Sequence, residues 1–152
     1  MTDVEELERR LQRLEDLAEI QQLFIDYGRH LDRGDFGAYA ALFAEDAELL
    51  LGPVARARGR AEIEVVMSQA LAGQVGSSIH IISSPVIQLE GDHATAEVMW
   101  TALHRDDQGR PVVSMIGRHR DDLVREDGGW RIRRRRGLID MPSTYAPPAG
   151  NT

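Results

Sequence analysis

The chain contains no cysteine, and its 18 basic residues are all arginine, with no lysine anywhere. The first absence excludes disulfides, thiolate nucleophiles and cysteine-ligated zinc. The second excludes Schiff-base chemistry and a P-loop lysine. Aromatic residues are scarce, at 5%. No apolar run approaches the ~20 residues of a membrane span. The opening MTDVEELERR is too acidic and polar for a signal peptide. The expected compartment is therefore the cytoplasm, with no membrane partner. A net charge of −7 argues against a nucleic-acid partner, whose footprint is usually basic. What remains for proton chemistry is Asp, Glu, His and Tyr.

The length of 152 residues fits one domain with a sizeable core, expected over residues 1–145, followed by a flexible tail at 146–152. The stretch Tyr27 to Asp46, YGRHLDRGDFGAYAALFAED, organises the reading. It predicts the end of one helix, a tight turn at Arg33-Gly34 and a second helix capped by Asp35. The first helix starts at residue 3 and runs to about Leu31. Leu7, Leu11, Leu14, Leu17, Ile20, Leu23, Phe24, Tyr27 and Leu31 recur along it at steps of three and four. Its charged front half packs either on a partner subunit or loosely on its own domain. The second helix is expected to reach about Ala44, with a turn at Asp46-Ala47, a strand from Glu48 to Leu51, a loop from Arg56 to Gly59 and a third helix from Arg60 to Leu71.

From Ser78 the period changes to two. Strands are expected over Ile79–Leu89, with Pro85 marking an edge or bulge, then Ala94–His104, Pro111–Arg125 and Trp130–Ile139. Gly91-Asp92, Asp106–Gly109 and Asp127–Gly129 form the turns between them. Helices first and a meander of antiparallel strands afterwards means α+β, with helices on one face of a curved antiparallel sheet of about five or six strands.

Asp32 stands out, because the helix dipole favours cations rather than carboxylates at a helix C-terminus. His80, His104 and His119 lie on strands that can converge on it. His104 shares strand parity with Val98, Trp100 and Ala102, and His119 with Met115, Gly117 and Leu123. Either histidine lines a pocket or is simply packed, or in the case of His104 solvated at a strand end. Tyr27 sits on the apolar stripe with Phe24, about 140° around an ideal helix from Asp32. In the run Arg131 to Arg136, strand alternation puts Arg134 and Arg136 on the face of Trp130 and Ile132, where one of them can hold an anionic group. The bland reading of Asp32 and His80 is a helix-end Asp and a satisfied core His. No HxH or HxxxH pair is present, so no metal site is expected.

The order of a long helix, a short helix running into LFAEDAEL, a Gly-Arg helix, IHIISSPVI and long strands closing on DGGWRI resembles the SnoaL-like branch of the nuclear transport factor 2 superfamily. The resemblance covers roughly residues 10 to 140. It implies a cone-shaped α+β fold around a deep apolar pocket. Within it the chain is similar to the scytalone dehydratase, bile-acid dehydratase and hexachlorocyclohexane dehydrochlorinase group, in which an Asp after the first long helix orients a His base. Asp32 and His80 occupy those places. Tyr27 matches a pocket tyrosine of the bile-acid enzymes, and His104 the place of a second histidine in scytalone dehydratase. Leu31 stands where scytalone dehydratase has a tyrosine.

The resemblance implies a cofactor-independent, dehydratase-like lyase acting on a small hydrophobic ring substrate such as a polyketide or steroid. His80 would be the base, Asp32 its orienter, and Tyr27 and His104 the polarising or acid groups. His119, Arg134, Trp100, Phe24 and Met115 would line the substrate pocket. An isomerase or cyclase of the same fold, or a non-catalytic ligand-binding or accessory subunit, are the alternatives. The expected partners are a small hydrophobic ligand and further copies of the chain, as a dimer or trimer.

Overall fold

The structure, a computed structural model, describes residues 2–52 and 55–142. Helix α1 spans Asp3–Arg33. Its first turn is closed by a capping box: the Glu5 amide donates to Thr2 Oγ1 at 3.3 Å and the Thr2 amide to Glu5 Oε2 at 3.0 Å. Its last turn ends at Gly34, whose φ of 73° is left-handed and open to glycine at little cost. Asp35 then caps α2, Phe36–Ala41, by accepting the Ala38 amide at 3.0 Å.

The second helix stops short of the expected Ala44. Phe43 instead opens strand β1, Phe43–Leu50, and the expected turn at Asp46-Ala47 lies inside this strand. The cause is tertiary. The Ile132 amide donates to Leu42 O at 2.9 Å, and Phe43 pairs with Ile132, so the last strand captures the chain before a further helical turn can form. Phe43, Ala44, Ala47 and Leu49 are all buried as a result. The expected loop after Arg56 is also a strand, β2, Arg56–Arg58, which pairs antiparallel with β1 and buries Ala57.

Helix α3, Arg60–Leu71, a 3-10 turn at Ala72–Gln74, and strands β3 (Ser78–Glu90), β4 (His93–Arg105), β5 (Pro111–Glu126) and β6 (Gly129–Met141) complete the described elements. The six strands form one sheet in the order β2-β1-β6-β5-β4-β3. β3 to β6 are an antiparallel meander, but β1 lies parallel to β6, so the curved sheet is mixed rather than wholly antiparallel. β3 is an edge strand, and its pairing shifts between Ser83 and Val86, where Pro85 cannot donate to the ladder. The expected tail at 146–152 lies outside the described residues.

The helices cover one face of this sheet, and the core lies between them. Ile20, Tyr27, Tyr39, Phe43, Ile63 and Ile132 are essentially inaccessible there. Full burial of such aliphatic and aromatic side chains contributes about 1.5–3 kcal/mol each. The stripe expected along all of α1 divides in two. Its buried part begins at Ile20, whereas Leu7, Leu11 and Leu14 are exposed. Among the described residues no helix is long and apolar enough to cross a membrane.

Candidate active site

Asp32 projects from the last turn of α1, and His80 from the start of the edge strand β3. Their elements meet because Gly28 has no side chain. A Cβ there would come 3.0 Å from Ile82 Cγ1 and 3.4 Å from His80 O, so only glycine lets the helix lie this close to the strand without displacing Ile82. One turn further on, Asp32 Oδ1 accepts the His80 backbone amide at 3.0 Å and lies 2.9 Å from His80 Nδ1. An ionised carboxylate only accepts, so Nδ1 carries the proton that fills this contact. This contact answers the question of why a carboxylate occupies a helix C-terminus. Its unfavourable interaction with the dipole, about 0.3–1 kcal/mol, is offset by two hydrogen bonds.

The pair opens into a cavity of about 490 Å³ between α1 and β3. Phe24, Ile25, Ile82, Pro85 and Val98 give it apolar walls, and Gln21, Arg29 and Ser83 add polar groups. A volume of this order suits a small ring compound.

The other expected site residues lie deeper or elsewhere. Tyr27 is buried and absent from the cavity wall. Its ring packs 5.4 Å from that of His119 and 6.1 Å from that of Tyr39, and burial pushes its hydroxyl pKa well above the ordinary tyrosine value. His119 faces inward as its parity indicates. Burial first, then the charges of Arg135 and His80, hold its pKa well below the ordinary histidine value, so the ring is neutral. Trp100 packs 5.8 Å from His119 and is half-buried, and Met115 lies on the same inner face, opposite Ala102.

His104 also keeps its inward parity, but both its nitrogens are engaged. Nδ1 meets Ser114 Oγ, whose hydroxyl also lies 3.0 Å from Ala102 O, and Nε2 lies 2.9 Å from Gln74 Oε1. Burial and the neighbouring His80 lower its pKa. Neither Gln74 nor Ser114 carried any sequence signal for this contact.

Arg134 and Arg136 require correction. Both are exposed, and Arg135, expected outward, is fully buried. The register explains the exchange: Leu123 pairs with Ile132 but Asp122 with Arg134, so Arg133 is a bulged extra residue. One inserted residue turns the rest of the strand over. Arg135 then points inward beside Asp121 on β5. Its Nε donates to Asp121 Oδ1 at 2.9 Å and its Nη2 to Oδ2 at 2.7 Å, with both side chains fully buried. The guanidinium carbon sits 4.3 Å from the centre of the Tyr27 ring and 5.7 Å from that of Phe43. Burial alone would lower the arginine pKa, but the Asp121 charge and hydrogen bonds outweigh it, and Arg135 stays charged.

Among the described residues, Trp100 Nε1, His119 Nδ1 and Arg135 Nη1 are buried nitrogens of this inner face without a hydrogen-bond partner. Among the described residues no three His, Asp or Glu side chains converge as a metal ligand set.

A mixed curved sheet wrapped by N-terminal helices is the nuclear transport factor 2-like, or cystatin-like, architecture. An NTF2-like protein from Novosphingobium aromaticivorans superposes with a TM-score of 0.84 and 31% identity, over 95% of this chain and 94% of that one. A second protein from the same organism, provisionally named a scytalone dehydratase, gives a TM-score of 0.76 and 27% identity over 92% and 97%. The uncharacterised protein Rv2910c of Mycobacterium tuberculosis is 31% identical over 124 residues, 80% of this chain and 84% of the relative. Residues 12–136 match the SnoaL-like domain model. The chain belongs to the SnoaL-like family, whose members include polyketide cyclases and dehydratases.

Proposed function

We propose that the protein is a cofactor-independent lyase that removes water from a small hydroxylated ring ketone. The observation that carries this reading is the Asp32–His80 contact at the mouth of the apolar cavity. Asp32 acts as a positioning residue: it fixes the tautomer in which His80 Nε2 is unprotonated. Nε2 then takes the proton from the carbon beside the carbonyl. The C–H electron pair forms the new C=C bond, the C–O bond breaks, and the imidazolium returns the proton to the departing hydroxyl, which leaves as water. One histidine thus serves as base and then acid, and no external oxidant or reductant is needed. Proton transfer of this kind is worth roughly 10²–10⁴-fold in rate.

The roles first assigned to Tyr27 and His104 change in this proposal. Tyr27, on the same helix as Phe24, backs the cavity through its packing on His119 and Tyr39. His104, its nitrogens held by Ser114 and the Gln74 amide, supports the strand that carries His80 rather than donating a proton. Phe24 contacts the ring of the substrate. His119, Trp100 and Met115 form the inner face behind the walls Ile82 and Val98, with which His119 and Trp100 are register partners.

The test substrate is 3-hydroxy-1-tetralone, whose loss of water gives fluorescent 1-naphthol. The wild-type chain should accelerate naphthol release. His80→Ala and Asp32→Asn should each slow it by roughly 10²-fold or more, while leaving the circular dichroism spectrum unchanged. Nitrogen-15 NMR should find the proton of the His80 ring on Nδ1. Equal rates for wild type and His80→Ala would refute the reading. An isomerase using the same pair would show enolisation of the tetralone, by deuterium uptake at the carbon beside the carbonyl, without loss of water. A non-catalytic accessory role is the second reading, favoured by the exposed Ile79, Ile81, Met99 and Val113 on β3, β4 and β5.

A further inference from the structure

Helix α1 has two apolar faces, and the fold uses only one. From Asp16 onward the side that packs on the domain carries Ile20, Leu23, Phe24, Tyr27 and Leu31. Val4, Leu7, Leu11 and Leu14 are 63%, 61%, 56% and 63% exposed. Leu11 precedes Ile20 by nine residues, about 180° around an ideal helix. On the domain side the same segment carries Glu5, Arg9, Gln12 and Arg13, all polar. Among the described residues, no part of the domain covers the outer stripe. The segment is nevertheless helical from Asp3, closed by its capping box, although residues 3–15 bury almost nothing. A free helical stretch of this length is marginal in water.

Val4, Leu7, Leu11 and Leu14 alternate at steps of three and four, the a and d positions of a heptad, and Ala18, Gln21 and Ile25 continue the series. We propose that this seam pairs in parallel with the same seam of a second copy of the chain, forming a two-stranded coiled coil. Charge selects the partner and its direction. In a parallel pair Arg10, at g, lies beside Glu15, at e, of the second copy, on both sides of the two-fold axis. In the antiparallel pair that stacks Val4 on Leu14, Arg10 meets Arg10 and Glu8 meets Glu8. The parallel form also sets Asp3 near Glu8 of the second copy, but at the first turn, where the helix dipole favours acidic groups. The outer stripe lies opposite the domain face, so pairing through it points the two domains away from each other. It also brings the second helix alongside Gln21 and Ile25, which line the cavity.

The experiment is sedimentation velocity of the full chain from about 5 to 200 µM, with urea midpoints to verify folding. The wild type should form a concentration-dependent dimer whose urea midpoint rises with concentration, and Leu11→Glu should be monomeric with a cooperative transition that does not depend on concentration, since Leu11 is exposed and outside the core. Arg10→Glu should weaken the dimer by roughly ten-fold, the scale of two reversed surface ion pairs. Arg10→Glu with Glu15→Arg should restore it. Because the chain has no cysteine of its own, Leu14→Cys supplies a direct reading of direction: a parallel seam brings the two thiols together, and oxidation should crosslink the dimer. A wild type still monomeric at 200 µM overturns the proposal, as does a Leu11→Glu variant that still dimerises. Efficient crosslinking of Val4→Cys to Leu14→Cys, with none of Leu14→Cys to itself, overturns the parallel arrangement.

Discussion

Removing the carboxylate of Asp121 should be among the most damaging single changes in the core. Asp121 and Arg135 are both fully buried and meet through two hydrogen bonds, of 2.9 and 2.7 Å. Unit charges about 4 Å apart attract by roughly 4 kcal/mol at an effective dielectric near 20. Asp121→Ala deletes that attraction and leaves Arg135 charged and buried against the faces of Tyr27 and Phe43. Breaking one side of a buried ion pair costs about 3–5 kcal/mol. At about 2–4 °C per kcal/mol for a chain of this size, the melting temperature should fall by roughly 6–20 °C. Urea unfolding followed by the fluorescence of Trp100 and Trp130 measures it. The double change Asp121→Leu with Arg135→Met completes the cycle. It removes both charges, keeps apolar volume under Tyr27, and should be neutral to stabilising. A cost below about 1 kcal/mol for Asp121→Ala, or a double variant as unstable as the single, would refute the reasoning.

Gly117→Ala should destabilise by about 3 kcal/mol, the upper end of overpacking costs, because a methyl there overlaps Leu138 O and the Trp100 indole; the melting temperature and the Trp100 emission should both shift. Acid should weaken the fold through His119. Its folded pKa is depressed, so below the unfolded value near 6.5 only the unfolded chain takes the proton, and stability falls by up to about 1.4 kcal/mol per pH unit. Urea midpoints at successive pH values should show that slope, reduced in His119→Gln, while His104 retains a smaller contribution of the same sign. Gly28→Ala gains about 0.5–1 kcal/mol of helix propensity but presses on Ile82, so urea midpoints should move by less than about 1 kcal/mol while naphthol release falls.

The candidate pair was legible only in part: Asp32 broke a local rule, a carboxylate at a helix C-terminus, but its pairing with His80 rather than with another histidine came from the family resemblance. The third helix and the four long strands were legible from period alone, since their apolar positions and glycine turns agree. Two kinds of feature were not. The start of β1 depends on Ile132, almost ninety residues away in sequence, donating to Leu42 O, and local propensity in FAED gives no hint of it. The inward arginine depends on a bulge, and parity counted from Trp130 is right only as far as Ile132. The stripe of α1 misled in another way. Steps of three and four link Leu7 to Leu31 without a break, yet the drift of the helix carries the early leucines to the opposite side.

The bulge at Arg133 sits at the head of four consecutive arginines, 133 to 136. A strand that slipped by one residue there would still present an arginine to Asp121. The run is thus redundant in the coding sense: several alignments spell the same buried side chain, and the ion pair cannot tell them apart. Selection of the correct alignment falls to the letters that are not repeated, Trp130 and Ile132 on one side and Gly137 on the other. Trp130 is pinned by its indole N–H donating to Asp16, and Gly137 stands where a Cβ would strike Leu51. Errors of register in β6 should therefore be corrected on either side of the arginine run, and substitutions there should produce misaligned but still charge-paired chains.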